Sequence, residues 1–261
     1  MQNRKSTILS LVCLGLALSQ TGFAAEANGW QYEVTPYLLG AALDGTVGVK
    51  GVTTELDASF SDILDNLDAG FMGYFTASKG PWMFGLEGVY MKLESDPVTS
   101  VVGPGGVVSV DGELDVTNRM YVAQATAGYS VLDDRTRLTL FGAVRWTKLD
   151  ADMSVKVQFD PAIVFPGGSA SASGDESWTD GVVGAQVVHP LTDHVALTGY
   201  ADVGAGGSDL TYQFMGGVNW EFAKDFTAKA GYRYLYWDYG NDGTVWDMTA
   251  SGLYLGLGIK F

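Results

Sequence analysis

Apolar and polar residues alternate with a period of two along most of the chain after residue 29, and short turn-forming segments separate the alternating stretches. In residues 136–148 one face is apolar, while the opposite face carries Arg137, Thr139 and Arg145. Residues 226–237 repeat this contrast, with alanines and tyrosines on one face and basic residues on the other. A period of two indicates β-strands, and about ten such residues suffice for a tilted strand to cross a membrane.

The pattern predicts an all-β fold, an antiparallel transmembrane β-barrel of about ten strands. Every second connection is short, whereas the others are longer, at about 43–68, 94–113 and 151–175. Short periplasmic turns alternating with longer outside loops are typical of outer-membrane barrels, and an even number of strands leaves both the N- and the C-terminus periplasmic. The predicted strands are 30–42, 69–79, 82–93, 114–132, 136–150, 176–189, 194–204, 209–222, 226–238 and 246–261.

The first long loop contains two further patterns. Residues 47–54, with Lys50 and Gly51 as a turn, form either a hairpin above the membrane or part of an extra strand pair, so eight and twelve strands remain alternatives. A short helix is predicted after Ser59 or Ser61, either of which would cap it. We hypothesise that its apolar face is a lid or plug in the barrel mouth. That face consists of Phe60, Ile63, Leu64 and Leu67.

The N-terminus predicts a cleaved signal peptide. Arg4 and Lys5 precede a short apolar run over residues 8–18, and small residues follow between positions 24 and 27. The run is shorter than the about 20 residues that a membrane-spanning helix requires. The domain prediction is a signal peptide at 1–25 and a single barrel domain at 26–261. Cys13 leaves a lipoprotein signal as a disfavoured alternative; cleavage otherwise removes the only cysteine.

Composition narrows the class of protein. The formal net charge is −15, which argues against nucleic acid as a partner because phosphates require basic surfaces. Only 17% of residues are charged while 47% are hydrophobic, which is too apolar for a highly charged soluble chain. No stretch after the signal is apolar for 18 residues, so a helical membrane span is not expected.

The C-terminus carries the most specific local motif. Apolar residues alternate with small or polar ones and end in a carboxy-terminal aromatic residue, at Leu253, Leu255, Leu257, Ile259 and Phe261. This motif resembles the C-terminal signal that the barrel-assembly machinery reads in outer-membrane proteins. With the signal peptide and the strand series, the chain resembles the small OmpA/opacity-type outer-membrane barrels of Gram-negative bacteria. The resemblance implies a location in the bacterial outer membrane, with its lipid and the assembly machinery as partners.

Aromatic residues support a membrane location. They lie toward the ends of predicted strands on the apolar face, where they would meet the two lipid–water boundaries. They are Trp82, Tyr90, Tyr129, Trp146, Trp220 and Tyr236.

The opposite face of the strands, which would line the lumen, collects charged residues. They are Glu33, Glu87, Arg137, Arg145, Asp202, Glu221, Lys229, Arg233 and Lys260. Because charges inside a narrow barrel must be paired, we favour a structural network over an ion path or a ligand site. Arg145 and Arg233 are the residues to test, since a guanidinium bridges carboxylates such as Glu87 or Asp202.

Other chemistry is weakly indicated. His189 and His194 flank a short turn and lack a neighbouring catalytic motif, and no G-x-S-x-G segment is present. The acidic residues of the first loop match no EF-hand spacing. We therefore expect no enzymatic activity, no catalytic residues, no metal site and no cofactor.

Three functions from different classes follow. The favoured one is an envelope-structural or narrow-pore, porin-like role with a filled or small lumen, because wide porins need 16–18 strands. The alternative is surface binding or adhesion through the long loops, with small solutes or extracellular ligands as partners. An outer-membrane enzyme ranks last.

Overall fold

The computed structural model describes residues 29–49, 52–94, 101–102, 109–160, 168–241 and 244–261, so the predicted signal peptide lies outside the described residues. No helix in these ranges is long and apolar enough to span a membrane. The elements are β1 (Gln31–Val49), β2 (Val52–Ala58), α1 (Phe60–Asp65), β3 (Leu67–Lys79), β4 (Trp82–Glu94), β5 (Val101–Val102), β6 (Ser109–Asp133), β7 (Arg137–Asp160), β8 (Gly168–Pro190), β9 (Val195–Gly206), β10 (Leu210–Ala223), β11 (Phe226–Asn241) and β12 (Thr244–Lys260).

Ten of these strands close an antiparallel barrel. The sheet runs in the order β12-β11-β10-β9-β8-β7-β6-β4-β3-β1, and β1 pairs with β12 to close it. The closing ladder extends from Glu33↔Lys260 to Val49↔Thr244. Among the described residues, β2 pairs with β1 alone and β5 with β6 alone, so neither adds a strand to the wall. The prediction of ten strands is confirmed. Closure of the barrel removes the sheet edges, which a bilayer does not tolerate.

The barrel wall is apolar outside and polar inside. On β7, Leu140 and Val144 point outward and are exposed, whereas Thr139 and Arg145 are buried inside. β12 follows the same rule, with its alternate leucines outside and Tyr254 inside. The predicted faces of these strands are therefore confirmed. Soluble proteins place apolar residues inside and polar residues outside. The opposite arrangement seen here is the one that a barrel in lipid requires.

Aromatic pairs frame the outward face at both ends. At the end of the short turns, which we call the short-turn end, the rings of Trp82 and Tyr129 meet edge to face at 5.0 Å between centroids. At the opposite, long-hairpin end, Tyr90 lies beside Tyr121, also at 5.0 Å. Amphipathic rings at both rims match the two water interfaces of a membrane.

Several strands are much longer than predicted. The described residues of the predicted loops at 94–113 and 151–175 are strand, since β6, β7 and β8 extend beyond the aromatic rim and pair from Ser109↔Asp160 and Val157↔Gly168 onward. The prediction was wrong because period-two alternation continues there, and a formed ladder does not stop at the membrane surface. Residues 47–49 pair with residues 52–54, up to Val49↔Val52, and the predicted turn at Lys50 and Gly51 lies outside the described residues.

Candidate functional site in the barrel lumen

The first charged centre of the lumen surrounds Arg145 on β7. Its Nη2 donates to Asp202 Oδ2 at 2.5 Å, its Nε donates to Gln124 Oε1 at 2.8 Å, and its Nη1 donates to Thr211 Oγ1 at 2.9 Å. The Tyr200 hydroxyl donates to the same Asp202 oxygen at 2.6 Å. Both charged side chains are fully buried. A buried pair of this kind holds together only because additional hydrogen bonds surround it.

The second centre surrounds Arg233 on β11. Its Nη1 lies 2.7 Å from Glu87 Oε1, and its Nε and Nη2 donate to Gln213 Oε1 at 3.0 and 2.6 Å. The Tyr37 hydroxyl donates to Glu87 at 2.5 Å and accepts from Arg233 at 2.8 Å. Each centre thus contains an arginine, a carboxylate, a glutamine and a tyrosine. The first centre joins β7 to β9, and the second joins β11 to β4.

Two lysine pairs lie nearer the short-turn end. Lys229 pairs with Glu33, and Lys260 lies 2.5 Å from Glu221. These pairs are partly exposed, so they contribute less than the buried centres. Arg137 does not join the lumen residues: its side chain is 49% exposed and pairs with Asp133 at 2.8 Å. The reason is its position at the first residue of β7, directly after a turn.

A cavity of about 130 Å³ lies beside the two arginine centres. Polar side chains from both centres and from the lysine pairs line much of it, including Thr35, Tyr37, Glu87, Gln124, Tyr200 and Lys229. Its volume suits several water molecules, for which these polar side chains offer hydrogen bonds.

Apolar residues close the long-hairpin end of the lumen. Trp237 and Met248 are 1% and 0% exposed, and the ring of Trp178 stacks on Tyr239 with 4.1 Å between centroids. We call this cluster the apolar cap; it comprises Leu43, Ile63, Met120, Val122, Trp178, Leu235, Trp237, Tyr239, Met248 and Ala250. Sequence reasoning missed the cap. Its signal was present in β11, where both faces become apolar after Arg233.

Helix α1 begins with a capping box. Ser59 is the N-cap: its hydroxyl accepts from the Asp62 amide, and its own amide donates to the Asp62 carboxylate. Hydrogen bonds from Ser59 lower the pKa of Asp62 below its ordinary value of 3.8. The capping box therefore favours the ionised form of Asp62.

The apolar face of α1 is divided between the lumen and the outside. Ile63 is 6% exposed and belongs to the apolar cap, whereas Phe60 and Leu64 are 47% and 54% exposed, and Leu67 is also exposed. The helix therefore lies beside the barrel wall and inserts one side chain, in contrast to the predicted burial of the whole face in the mouth.

Neither histidine has a catalytic arrangement. His189 Nδ1 lies 2.7 Å from the Thr136 hydroxyl, and His194 is exposed in its turn. In the part of the chain that the structure describes, no three histidines, cysteines or acidic residues cluster as metal ligands.

No protein-family model matches the sequence, and no curated protein matches it. Among solved structures, the chain is similar to the outer-membrane protease OmpT of Escherichia coli, with a TM-score of 0.49 and 9% identity over 92% of this chain and 99% of that one. It is also similar to the translocator domain of the autotransporter NalP of Neisseria meningitidis, with a TM-score of 0.45 and 16% identity over 91% and 90%. A third similar structure is Ail, the attachment invasion locus protein of Yersinia pestis, with a TM-score of 0.35 and 12% identity over 90% and 99%.

Similarity at this level carries no information about activity. The location follows from the chain's own surface, since a closed barrel that is apolar outside and rimmed by aromatic residues is built for lipid. The chain is a β-barrel protein of the bacterial outer membrane.

Proposed function

We propose that this protein has an envelope-structural role in the outer membrane, as a barrel with a closed lumen that passes ions weakly or not at all. The observation that carries the proposal is the apolar cap, in which Trp237 and Met248 are excluded from solvent across the axis of the lumen. Below the cap, the Arg145–Asp202 pair is buried in the lumen, and the Arg233–Glu87 pair joins β11 to β4 across it. Water and ions find no polar path through such a layer.

Orientation and family belong to the same proposal. The short turns face the periplasm, the long hairpins face outward, and the chain is one of the small OmpA/opacity-type barrels. The proposed role includes no catalysis, since the lumen's arginines and its two paired lysines are engaged with carboxylates. Lipid and the barrel-assembly machinery are its proposed partners.

Single-channel recording in a planar bilayer tests the closed lumen. The refolded chain, checked by a heat-dependent shift in gel mobility, is compared with a Trp237→Ala/Met248→Ala variant and with a lipid-facing control, Leu253→Ala/Leu255→Ala. We expect little or no conductance from the native protein and the control, and discrete openings from the cap variant. Large openings from the native protein would contradict the proposal.

Surface binding is the second candidate, and one observation favours it. The β8–β9 ladder begins at Asp180↔Gly206 and the Gly207 amide donates to the Thr179 carbonyl, so among the described strands nothing pairs with residues 168–178 on that edge. A free strand edge above a membrane accepts an extended peptide by strand addition. Shortening the β7–β8 hairpin would then abolish adherence to host or matrix proteins while leaving the gel-mobility shift unchanged.

A further inference from the structure

The wall between β1 and β3 is hydrogen-bonded over only part of its height. Their ladder ends at Pro36, which has no N–H to donate and pairs with Gly73. β2 joins the same edge of β1 only from Leu43 onward. Within the described ranges no strand pairs with residues 37–42 on this side, although β3 continues to residue 67. We call residues 37–42 of β1 and 67–72 of β3 the seam.

Helix α1 lies against the seam and reaches both sides of the wall. The Phe60 ring packs on the outward side of Gly40, where an added Cβ would lie 3.1 Å from the ring. Ile63, one turn later, is part of the apolar cap inside the lumen. The end of the helix is tied to β4, since the Glu94 amide donates to the Asn66 carbonyl at 2.8 Å. The helix thus fills a place where strands would otherwise meet.

This construction is unfavourable for a wall that serves only to separate lipid from lumen. Six residues without a ladder span about 20 Å of strand. The seam begins at the aromatic rim, since Phe71 pairs with Tyr90. Unpaired backbone groups are costly where lipid covers this end of the wall, and a continued ladder would satisfy them. Departures from the regular pattern of a fold are expected at functional sites.

The surroundings of the seam define what it could hold. Leu38 and Phe71, on its two edges, are 74% and 66% exposed on the lipid face. Of the seam residues 37–42 and 67–72, Asp68 is the only charged one. Behind α1 lies the apolar cap, to which Ile63 belongs. An apolar ligand would therefore contact mainly apolar surface between the lipid and the lumen. A polar solute would lose its hydration there without compensation.

We propose that the seam is a binding site and lateral port for an acyl chain, which enters between β1 and β3 when α1 moves aside and then packs against the apolar cap. The chain belongs either to a free fatty acid or to a lipid of the adjoining leaflet. This role goes beyond the proposed structural function, because it concerns passage through the wall and not conduction along the axis.

Fluorescence quenching by brominated acyl chains tests the port. The chain has seven tryptophans, of which Trp178, Trp237 and Trp246 belong to or pack against the cap. Replacing Trp30, Trp82, Trp146 and Trp220 with Phe leaves only these three as reporters. Dibromostearate is added to the refolded protein in one series, and vesicles of a dibrominated phosphatidylcholine are used in the other, so the two sources of the chain are distinguished.

A cross-link between α1 and β1 provides the decisive comparison. Gly40→Cys/Phe60→Cys introduces two thiols, and the second substitution removes the ring that occupies the space at Gly40. A short bifunctional thiol reagent then ties the helix to the wall. The matched control is Leu86→Cys/Ala125→Cys, which cross-links directly paired residues of the continuous β4–β6 ladder.

We expect saturable quenching in the unlinked protein and in the linked control, and its loss when α1 is linked to β1. Quenching by dibromostearate alone would identify a free fatty acid as the ligand, and quenching in both series would identify any acyl chain. Equal quenching with and without the α1 link would overturn the proposal, as would no quenching in the unlinked protein. Gel-mobility shifts verify that every variant is folded.

Discussion

The two arginine centres use the same chemistry in two different parts of the wall. Arg145 on β7 reaches Asp202 on β9, two strands away, in a region where every neighbouring strand is paired. Arg233 on β11 reaches Glu87 on β4, and its second partner, Tyr37, is the first residue of the seam. The Arg145–Asp202 pair therefore lies where the strand ladders are continuous. The Arg233–Glu87 pair joins β11 to β4, and the interrupted β1–β3 ladder lies between these two strands.

The difference shows what a buried ion pair does beyond its own energy. Where backbone hydrogen bonds already fix the strands, a buried pair is weak evidence for stability. Where the ladder between β1 and β3 stops, the pair between Arg233 and Glu87 connects strands on both sides of the gap. The following variants are expected to separate these two roles.

The largest effect is expected from Arg145→Ala. It leaves the carboxylate of Asp202 buried and uncompensated, at a cost of about 3–5 kcal/mol in the free energy of unfolding. Urea unfolding of the refolded protein in vesicles, followed by gel mobility, measures this value. Arg137→Ala, on the same strand but in an exposed pair, serves as the control and is expected to cost about 0–1 kcal/mol. Similar losses for both variants would contradict the burial argument.

A smaller loss of stability is expected from Arg233→Met. Glu87 lines the cavity, so water can reach its orphaned carboxylate, whereas Asp202 is not among the lining residues. Arg233→Met should loosen the seam more than Arg145→Ala does, because it removes the ion pair that connects the strands on either side of β1 and β3. Hydrogen exchange at residues 37–42 measures it. If Arg145→Ala accelerates that exchange equally, the two centres do not differ in the way described.

The stability of helix α1, which lies against the seam, should depend on its N-cap residue, Ser59. Ser59→Ala removes the N-cap, at a cost of about 1 kcal/mol, which corresponds to about a fivefold faster exchange of the helical amides. Ile63 and Asn66 report this change, since their amides donate to carbonyls of the first turn. Ser59→Thr keeps a capping hydroxyl and should leave the exchange rates nearly unchanged.

The smallest effect is a dependence of α1 on pH. Because its pKa is lowered in the folded protein, Asp62 stabilises the helix above its ordinary pKa, and this contribution is lost as the pH falls through the lowered value. Amide exchange at Ile63 should therefore accelerate, relative to the intrinsic rate, below pH 3.8. In Asp62→Asn the acceleration of exchange at low pH should vanish. If the acceleration persists, another titrating group causes it.

Much of the fold could be predicted from local pattern. The ten strands, their faces and the capping of α1 follow from residues close together in the chain, as at β7, β12 and Ser59. Strand ends were less predictable, because the alternation of β6, β7 and β8 continues beyond the membrane boundary without a change in period.

The candidate site was only partly predictable. The charged residues that face the lumen are visible in the period of two, but their pairing is not. Arg137 has the same parity as Arg145 and yet lies outside the lumen, since its height in the barrel depends on where the turn ends. The apolar cap was missed because lumen-facing residues were expected to be polar.

The sequence by itself determined that this chain alternates its faces, closes as an all-β barrel and turns its apolar side to lipid, because a period of two is a local property of the backbone. Only the tertiary structure decided that Arg233 meets Glu87, that tryptophans from different strands cap the lumen, and that the β1–β3 ladder stops at Pro36. Those features depend on strand register and closure, which bring together residues far apart in the chain.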